Sequence, residues 1–188
     1  MVWELVMAFE VEQKYPVADV EELRGRLNDL GWIETRRESH RDAYLNHPCK
    51  DFRQTGEALR IRRIDDAGYV TYKGPKLSGD IKAREELEWC LGQDDPDGGR
   101  TESLLIQLGF RPVATVTKVR TVFEHRDNRQ TIVVMDRVDS LGCFAEIESV
   151  VANRTAVEAG RKRVADLATA LSLNRSEPRS YLTMLLEG

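Results

Sequence analysis

Pairs of like-charged residues two positions apart recur along the chain: Glu10-x-Glu12 and Glu146-x-Glu148 are acidic, while Arg60-x-Arg62, Lys82-x-Arg84 and Lys118-x-Arg120 are basic. A spacing of two puts both members on one face of a β-strand. Lys14 continues the face of Glu10 and Glu12, Glu86 and Glu88 continue that of Lys82 and Arg84, and Asp136 stands alone near a strand end. Carboxylates hold hard divalent cations such as Mg²⁺ or Mn²⁺ through oxygen. Arg and Lys neutralise phosphate oxygens. For any one strand a solvated polar face is the ordinary explanation. The combination of acidic pairs on the first and last strands with basic pairs between them suits a polyanion bound through a divalent metal.

Positioning such pairs takes strands, and the pattern supplies about eight. Positions 7–15, 32–45, 58–64, 69–73, 82–91, 114–124, 131–138 and 143–150 alternate apolar with polar residues, or read as strands between turn signals. Phe9 and Val11, Leu59 and Ile61, Leu87 and Trp89, and Ala145 and Ile147 form the apolar faces, and Trp32, Trp89 and Phe110 are expected in the core. Between the strands, Asp19 is an N-cap with Glu22 three residues on, opening a helix that carries Val20, Leu23, Leu27 and Leu30 on one side and ends at Gly31. Helices are also expected over 101–108 and 156–171, and from Arg179 onward, while 46–56 and 92–99 read as irregular. Leu30-Gly31-Trp32 and Leu108-Gly109-Phe110 each join a helix to a strand, a faint repeat that predicts two similar halves assembling one sheet. The fold class is α+β, with an antiparallel closed or nearly closed sheet and flanking helices.

The chain has 188 residues and 41% hydrophobic content, which predicts one domain. Its 28 basic and 32 acidic residues leave a net charge of -4, which argues against a general binder of nucleic acid or anionic membrane. Cys49, Cys90 and Cys143 are far apart and form no C-x-x-C pair, so neither a zinc site nor a disulfide framework is expected, and a reducing cytoplasm fits best. No apolar run is long enough to span a membrane. Met1 to Val6 is an unpatterned extension too short for a signal peptide, and the patterned sequence begins at Met7, an alternative natural start.

Glu10-Val11-Glu12-Gln13-Lys14 resembles the E-x-E-x-K signature of the CYTH superfamily, the triphosphate tunnel metalloenzymes that include class IV adenylyl cyclases and thiamine triphosphatases. The resemblance continues in order through His40-Arg41-Asp42-Ala43-Tyr44-Leu45, Glu57-Ala58-Leu59-Arg60-Ile61-Arg62, Thr71-Tyr72-Lys73-Gly74-Pro75 and Lys82-Ala83-Arg84-Glu85-Glu86. Lys118-Val119-Arg120, Asp136 and Glu146-Ile147-Glu148 complete it over almost the whole chain. It implies an eight-stranded closed β-barrel enclosing a charged tunnel. It also implies a metal set of Glu10, Glu12, Asp136, Glu146 and Glu148. The triphosphate set would be Lys14, Arg60, Arg62, Lys73, Lys82, Arg84, Lys118 and Arg120, with Arg179 and Tyr181 as further candidates near the C-terminus. Lys14 and Glu86 are the catalytic candidates. Glu86 has the alternative role of orienting basic neighbours through cross-strand pairs. His40 and Tyr44 share a strand face with Asp42, and His40 is left outside the site. Dimerisation is common among the proteins it resembles, though no residue here demands it.

Two reactions use this constellation. Metal-activated water can hydrolyse tripolyphosphate, thiamine triphosphate or a nucleoside triphosphate, or the ribose 3′-hydroxyl of ATP can attack the α-phosphorus to form cyclic AMP and pyrophosphate. The segment 46–57, NHPCKDFRQTGE, looks more like the loop of cyclase-like homologues of unproven activity than that of established bacterial cyclases, so hydrolysis is preferred over cyclisation. A non-catalytic polyphosphate or nucleotide sensor is a third reading. An apolar ligand carrier would need an apolar inner face where this chain has charges.

Overall fold

The computed structural model describes residues 8–188, so the proposed extension and alternative start lie outside the described residues. Eight strands, β1 (Ala8–Pro16), β2 (Ile33–Asn46), β3 (Ala58–Ile64), β4 (Ala67–Lys73), β5 (Lys82–Cys90), β6 (Arg111–His125), β7 (Asn128–Val138) and β8 (Gly142–Val151), are joined with helices α1 (Val20–Asp29), α2 (Phe52–Thr55), α3 (Gly99–Gln107), α4 (Val157–Ala170) and α5 (Tyr181–Glu187). A single 3₁₀ turn, Arg154–Ala156, leads into α4. The strands close into a barrel in the order β1-β5-β4-β3-β2-β6-β7-β8, every neighbouring pair antiparallel.

Exchanging β1 to β4 with β5 to β8 leaves this ring order unchanged. The repeat seen around Gly31 and Gly109 is therefore a repeat of topology: α1 precedes β2 as α3 precedes β6, and β2 pairs with β6 along almost its whole length. Closure removes the exposed edges that an open sheet would present.

A closed sheet has an inside and an outside, and strand alternation assigns them. Val11, Ala83, Phe123, Val133, Ala145 and Ile147 point outward, where the helices bury them completely or nearly so. Leu23 and Leu27 of α1, and Val157, Val164 and Ala168 of α4, complete this outer core at helical spacing. Asp19 caps α1 as expected, its carboxylate accepting from the Glu22 amide at 2.9 Å. A second cluster of Leu45, Ile61 and Val70 lies under α3, with Leu105 and Phe110 packed against it. The hydrophobic core is thus mainly a shell around the barrel, with a smaller cluster of Val116, Val138, Phe144 and Tyr181 where α5 meets it, which leaves the rest of the lumen free for polar chemistry.

Three expectations change. Trp32 is buried, but Trp89 is 52% exposed on the outer face of β5, where no helix covers it. Segment 46–56 contains the one-turn helix α2, because Asp51 accepts from the Arg53 amide and Gly56 closes the turn in the left-handed region at φ 74°. Asp95 in the 92–99 loop is buried and caps the start of α3 through the Arg100 and Thr101 amides, a structural role that composition concealed.

Gly160 lets α4 approach the barrel: a methyl group there would stand 3.0 Å from Val11 Cγ2 and 3.2 Å from Val151 Cγ1. Gly160→Leu is expected to destabilise the protein by about 1–3 kcal/mol through overpacking, read as a lower urea midpoint. An unchanged midpoint would mean that α4 is not seated on β1 and β8 in this way.

Candidate active site

The barrel encloses a cavity of about 660 Å³, within the range of small-molecule sites. Its wall is built by inward positions: Glu10, Glu12 and Lys14 from β1, Lys82, Arg84, Glu86 and Glu88 from β5, and Thr71 and Lys73 from β4. Arg60 and Arg62 come from β3, Glu38, His40, Asp42 and Tyr44 from β2, Lys118 and Arg120 from β6, and Glu146 and Glu148 from β8. Almost every charged residue expected in the site therefore reaches one lumen.

Two do not line it. Arg179 is absent from the lining; its guanidinium turns outward to Glu177, at 2.6 Å, and to Glu187, while its backbone carbonyl accepts a hydrogen bond from Lys14 Nζ. Asp136 stands across from Arg120 in the β6/β7 register and shares its inward face, but it is 1% exposed, covered by Lys118, Arg120 and Tyr181. Both of its oxygens are taken: Arg120 donates at 2.8 and 2.7 Å, Lys118 at 2.7 Å and the Tyr181 hydroxyl at 3.0 Å. Burial alone would raise the Asp136 carboxyl, but Arg120 and Lys118 outweigh it and hold the group well below the usual carboxylate range.

Residues that sequence reasoning passed over complete the wall. Asp42 receives a two-pronged bond from Arg62 at 2.8 and 2.9 Å and stands 3.4 Å from Arg60, and these cations hold it well below the usual range despite burial. Glu38 and His40 are bonded to each other. The signal was the alternation Glu38-x-His40-x-Asp42-x-Tyr44, which continues the inner face of β2. Tyr181, the C-terminal candidate named beside Arg179, packs beneath the lumen at the start of α5: Lys14 Nζ lies 4.0 Å from its ring centroid and Lys118 Nζ 5.1 Å.

The charges are unevenly paired. Glu86 is 2.8 Å from Lys73, which also bonds Glu10. Arg60 bonds the Thr71 hydroxyl at 3.3 Å, and Arg120 reaches Glu146 at 2.6 Å and Glu148 at 3.0 Å. In contrast, among the described residues Lys82 and Arg84 have only Glu12 as an ion-pair partner, at 3.4 and 3.7 Å, and the buried Nε of Arg84 has no hydrogen-bond partner. Burial and Lys82 push Lys14 down to about 8, and burial, Lys82 and Arg84 lower Lys76 at the lip. That corner carries more positive charge than the protein neutralises.

The opposite surplus lies beside it. Glu12 sits directly across from Glu148 in the β1/β8 register, and Lys14 across from Glu146. Like charges directly opposite repel. Burial pushes Glu148 up to about 7 against the pull of Arg120, with Glu10, Glu146 and Glu12 adding to the rise, and it pushes Glu10 to about 7 against Lys73. Burial of Glu12 is outweighed by Lys73, Lys82, Arg84 and Lys14, which keep it ionised. As the side chains stand, no three His, Cys, Asp or Glu residues among the described residues converge into a chelating cluster. The donor set of Glu10, Glu12, Glu146 and Glu148 nevertheless fits a hard divalent cation, which would replace the protons that Glu10 and Glu148 otherwise retain.

The CYTH domain family model matches residues 8–181. A putative adenylate cyclase of Methanocaldococcus jannaschii is 31% identical over 177 residues, covering 93% of this chain and 97% of its own. An adenylate cyclase of Aeromonas hydrophila is 28% identical, covering 94% of this chain and 88% of its own. Among solved structures, a protein from Pyrococcus horikoshii is 34% identical with a TM-score of 0.83, covering 95% of this chain and 98% of its own. Among the described residues no helix is long and apolar enough to cross a membrane.

Glu10 and Glu148 hold their protons more tightly folded, near pH 7, than at the ordinary value of 4.5. Their stabilising contribution is complete below that ordinary value and is lost as pH rises through about 7. Metal-free protein is therefore expected to melt at progressively lower temperature as pH rises from about 4.5 to 7, and saturating Mg²⁺ or Mn²⁺ to flatten that slope. A slope unaffected by either ion would remove these carboxylates from metal binding.

Proposed function

This chain belongs to the CYTH family, and from that premise we propose that it is a divalent-metal-dependent enzyme that hydrolyses a triphosphate held in the barrel lumen. The observation that carries the reading is the unneutralised corner: buried Arg84, its Nε without a partner, beside Lys82, Lys14 and Lys76. A buried guanidinium nitrogen without an acceptor is costly, and a phosphate oxygen supplies that acceptor with a charge-assisted bond.

In this reading Lys14, Lys82 and Arg84 grip the phosphate chain from β1 and β5, with Lys76 at the lip. Arg60, Arg62, Lys73, Lys118 and Arg120 line the rest of its path and are held straight by Asp42, Glu86 and Asp136. The metal ligands are Glu10, Glu12, Glu146 and Glu148. A divalent cation bound there polarises phosphate oxygens and lowers the pKa of coordinated water. Asp136 acts one step back: with both oxygens engaged, it fixes Lys118 and Arg120 on the lumen face. Glu86 acts similarly on Lys73. Arg179 contributes its backbone carbonyl to Lys14, and its side chain stays out of the substrate path.

Cyclisation of ATP is the second reading, favoured by the cyclase names of both the Methanocaldococcus jannaschii and the Aeromonas hydrophila relatives. The two reactions share the grip and differ in which phosphorus is attacked. The barrel charges serve either orientation.

Purified protein incubated with ATP, thiamine triphosphate or tripolyphosphate, each with Mg²⁺ or Mn²⁺, is expected to release orthophosphate. Cyclic AMP with pyrophosphate would establish the cyclase reading, and binding without turnover would make the protein a sensor. Arg84→Ala is expected to raise KM on the order of 10- to 100-fold, the loss of charge-assisted phosphate bonds. An unchanged KM would take the phosphate away from this corner.

A further inference from the structure

The lumen contains one buried titratable group that the grip and the metal set leave unused. His40 projects inward from β2, between Glu38 and Asp42 on the same face, and is 2% exposed. Its Nε2 lies 2.9 Å from Glu38 Oε2, while its Nδ1 is buried and has no partner among the described residues. Burial would raise the Glu38 carboxyl, but its bond to His40 and the nearby Arg36 outweigh it and lower the group, so Glu38 can only accept; Nε2 therefore carries the proton and Nδ1 is left as a lone-pair acceptor. Burial, with Arg62 and Lys118 alongside and Arg120 beyond, holds the ring pKa down to about 4 against Glu38, so the imidazole is neutral at physiological pH.

An orphaned acceptor in this cavity is selective about what can fill it. Phosphate oxygens and carboxylates are acceptors and cannot. The nearby cations already have acceptors: Arg62 is committed to Asp42, and Lys118 and Arg120 to Asp136. An O–H group is the remaining donor that arrives with a triphosphate substrate, and in a hydrolase that group is the attacking water. In the ring order β2 lies four strands from β1 in either direction, so Glu38 and His40 face the carboxylates of β1 across the lumen.

We propose that His40, oriented by Glu38, is the general base that accepts the proton of the attacking water. The inference rests on the hydrolytic reading above. In the step, the water oxygen forms a bond to the terminal phosphorus and its proton passes to Nδ1. The bond from that phosphorus to the bridging oxygen breaks, and the bridging oxygen keeps the electron pair as the leaving phosphate. The imidazolium rests against Glu38 until it returns the proton to solvent. A bound triphosphate places negative charge beside Arg62, Lys118 and Arg120, the cations that keep the empty-site imidazole weakly basic, so substrate itself raises the basicity of the ring. A carboxylate that holds one ring nitrogen so that the other can take a proton is the general arrangement of an oriented histidine base.

The test uses the full chain, whichever triphosphate the wild type hydrolyses best, and the variants His40→Ala and His40→Gln. Glutamine can still donate to Glu38 and accept a hydrogen bond, but it cannot take a proton, so it keeps the fold while removing the base. Both variants are expected to lose kcat by roughly 10²- to 10⁴-fold with KM nearly unchanged, and added imidazole to restore part of the rate to His40→Ala. Variants with kcat within about threefold of wild type, a loss confined to KM, or a loss that imidazole fails to relieve would each overturn the role of His40. Absence of wild-type turnover on every triphosphate would overturn the hydrolytic reading, and this inference with it.

Discussion

Burial of charge is the constraint on which the structure depends. Closing an antiparallel sheet of alternating residues leaves nowhere for inward side chains except the lumen, and here those positions hold Arg, Lys, Asp and Glu from all eight strands. An isolated ion in such a space would be very unfavourable, so each must be paired, hydrogen-bonded or neutralised by proton or ligand. The protein meets this requirement in two ways. One set is self-sufficient: the Asp42–Arg62 fork and the Asp136 node with Arg120, Lys118 and Tyr181 satisfy both oxygens of each carboxylate. The other is left incomplete on β1, β5 and β8, where cations sharing a single carboxylate partner stand beside crowded carboxylates. An incomplete electrostatic arrangement that the fold nonetheless tolerates is where a ligand is expected.

That tolerance comes from outside the barrel. Val11, Ile147, Phe123 and Val133, fully buried beneath the helices, supply the apolar burial that the lumen cannot. The two halves of the chain repeat in topology but not in charge. β1 and β5 occupy equivalent positions, yet β1 carries Glu10 and Glu12 inward where β5 carries Lys82 and Arg84, and the two strands pair directly with Glu10 across from Arg84 and Glu12 across from Lys82. The pseudosymmetric closure thus brings the acidic and the basic signature strands side by side, placing a metal-compatible surface next to a phosphate-compatible one.

Much of this was legible in the sequence because strand alternation is a local signal. Glu10-x-Glu12, Arg60-x-Arg62 and Lys118-x-Arg120 declared their shared faces, and those faces are the lumen. Ring order was not legible: β1 beside β5 and β2 beside β6 are pairings between distant segments, and no turn encodes them. Trp89 alternates correctly but faces outward on a part of β5 that no helix covers, so period alone could not bury it. Arg179 lies outside the strands, and local bonds to Glu177 decide its direction. Asp136 stood in the metal set that the resemblance implied, whereas its enclosure by three partners from β6 and α5 depends on side chains distant in sequence. His40 shares a strand face with Asp42 and Tyr44 that alternation alone also allows at a solvated edge; closure of the barrel makes β2 an interior strand.

The self-sufficient pairs raise the question of why they are there. A buried ion pair is weak evidence for stability, since well-packed apolar residues of similar volume often serve the fold as well or better. Asp42, Arg62, Asp136 and Arg120 could be exchanged for such residues without loss of barrel closure on those grounds alone. What apolar residues could not do is fix the direction of a guanidinium or ammonium group. The two-pronged bond to Asp42 leaves Arg62 with a defined donor geometry, and Asp136 holds Arg120 at the point from which it also reaches Glu146 and Glu148. Preorganised charges need no reorientation when a polyanion enters, which is the condition under which electrostatic stabilisation of phosphoryl transfer is most effective. The buried pairs are therefore better understood as the rigid frame of the site than as the glue of the fold, and the neutral His40 amid them is consistent with a wall whose cations already have acceptors.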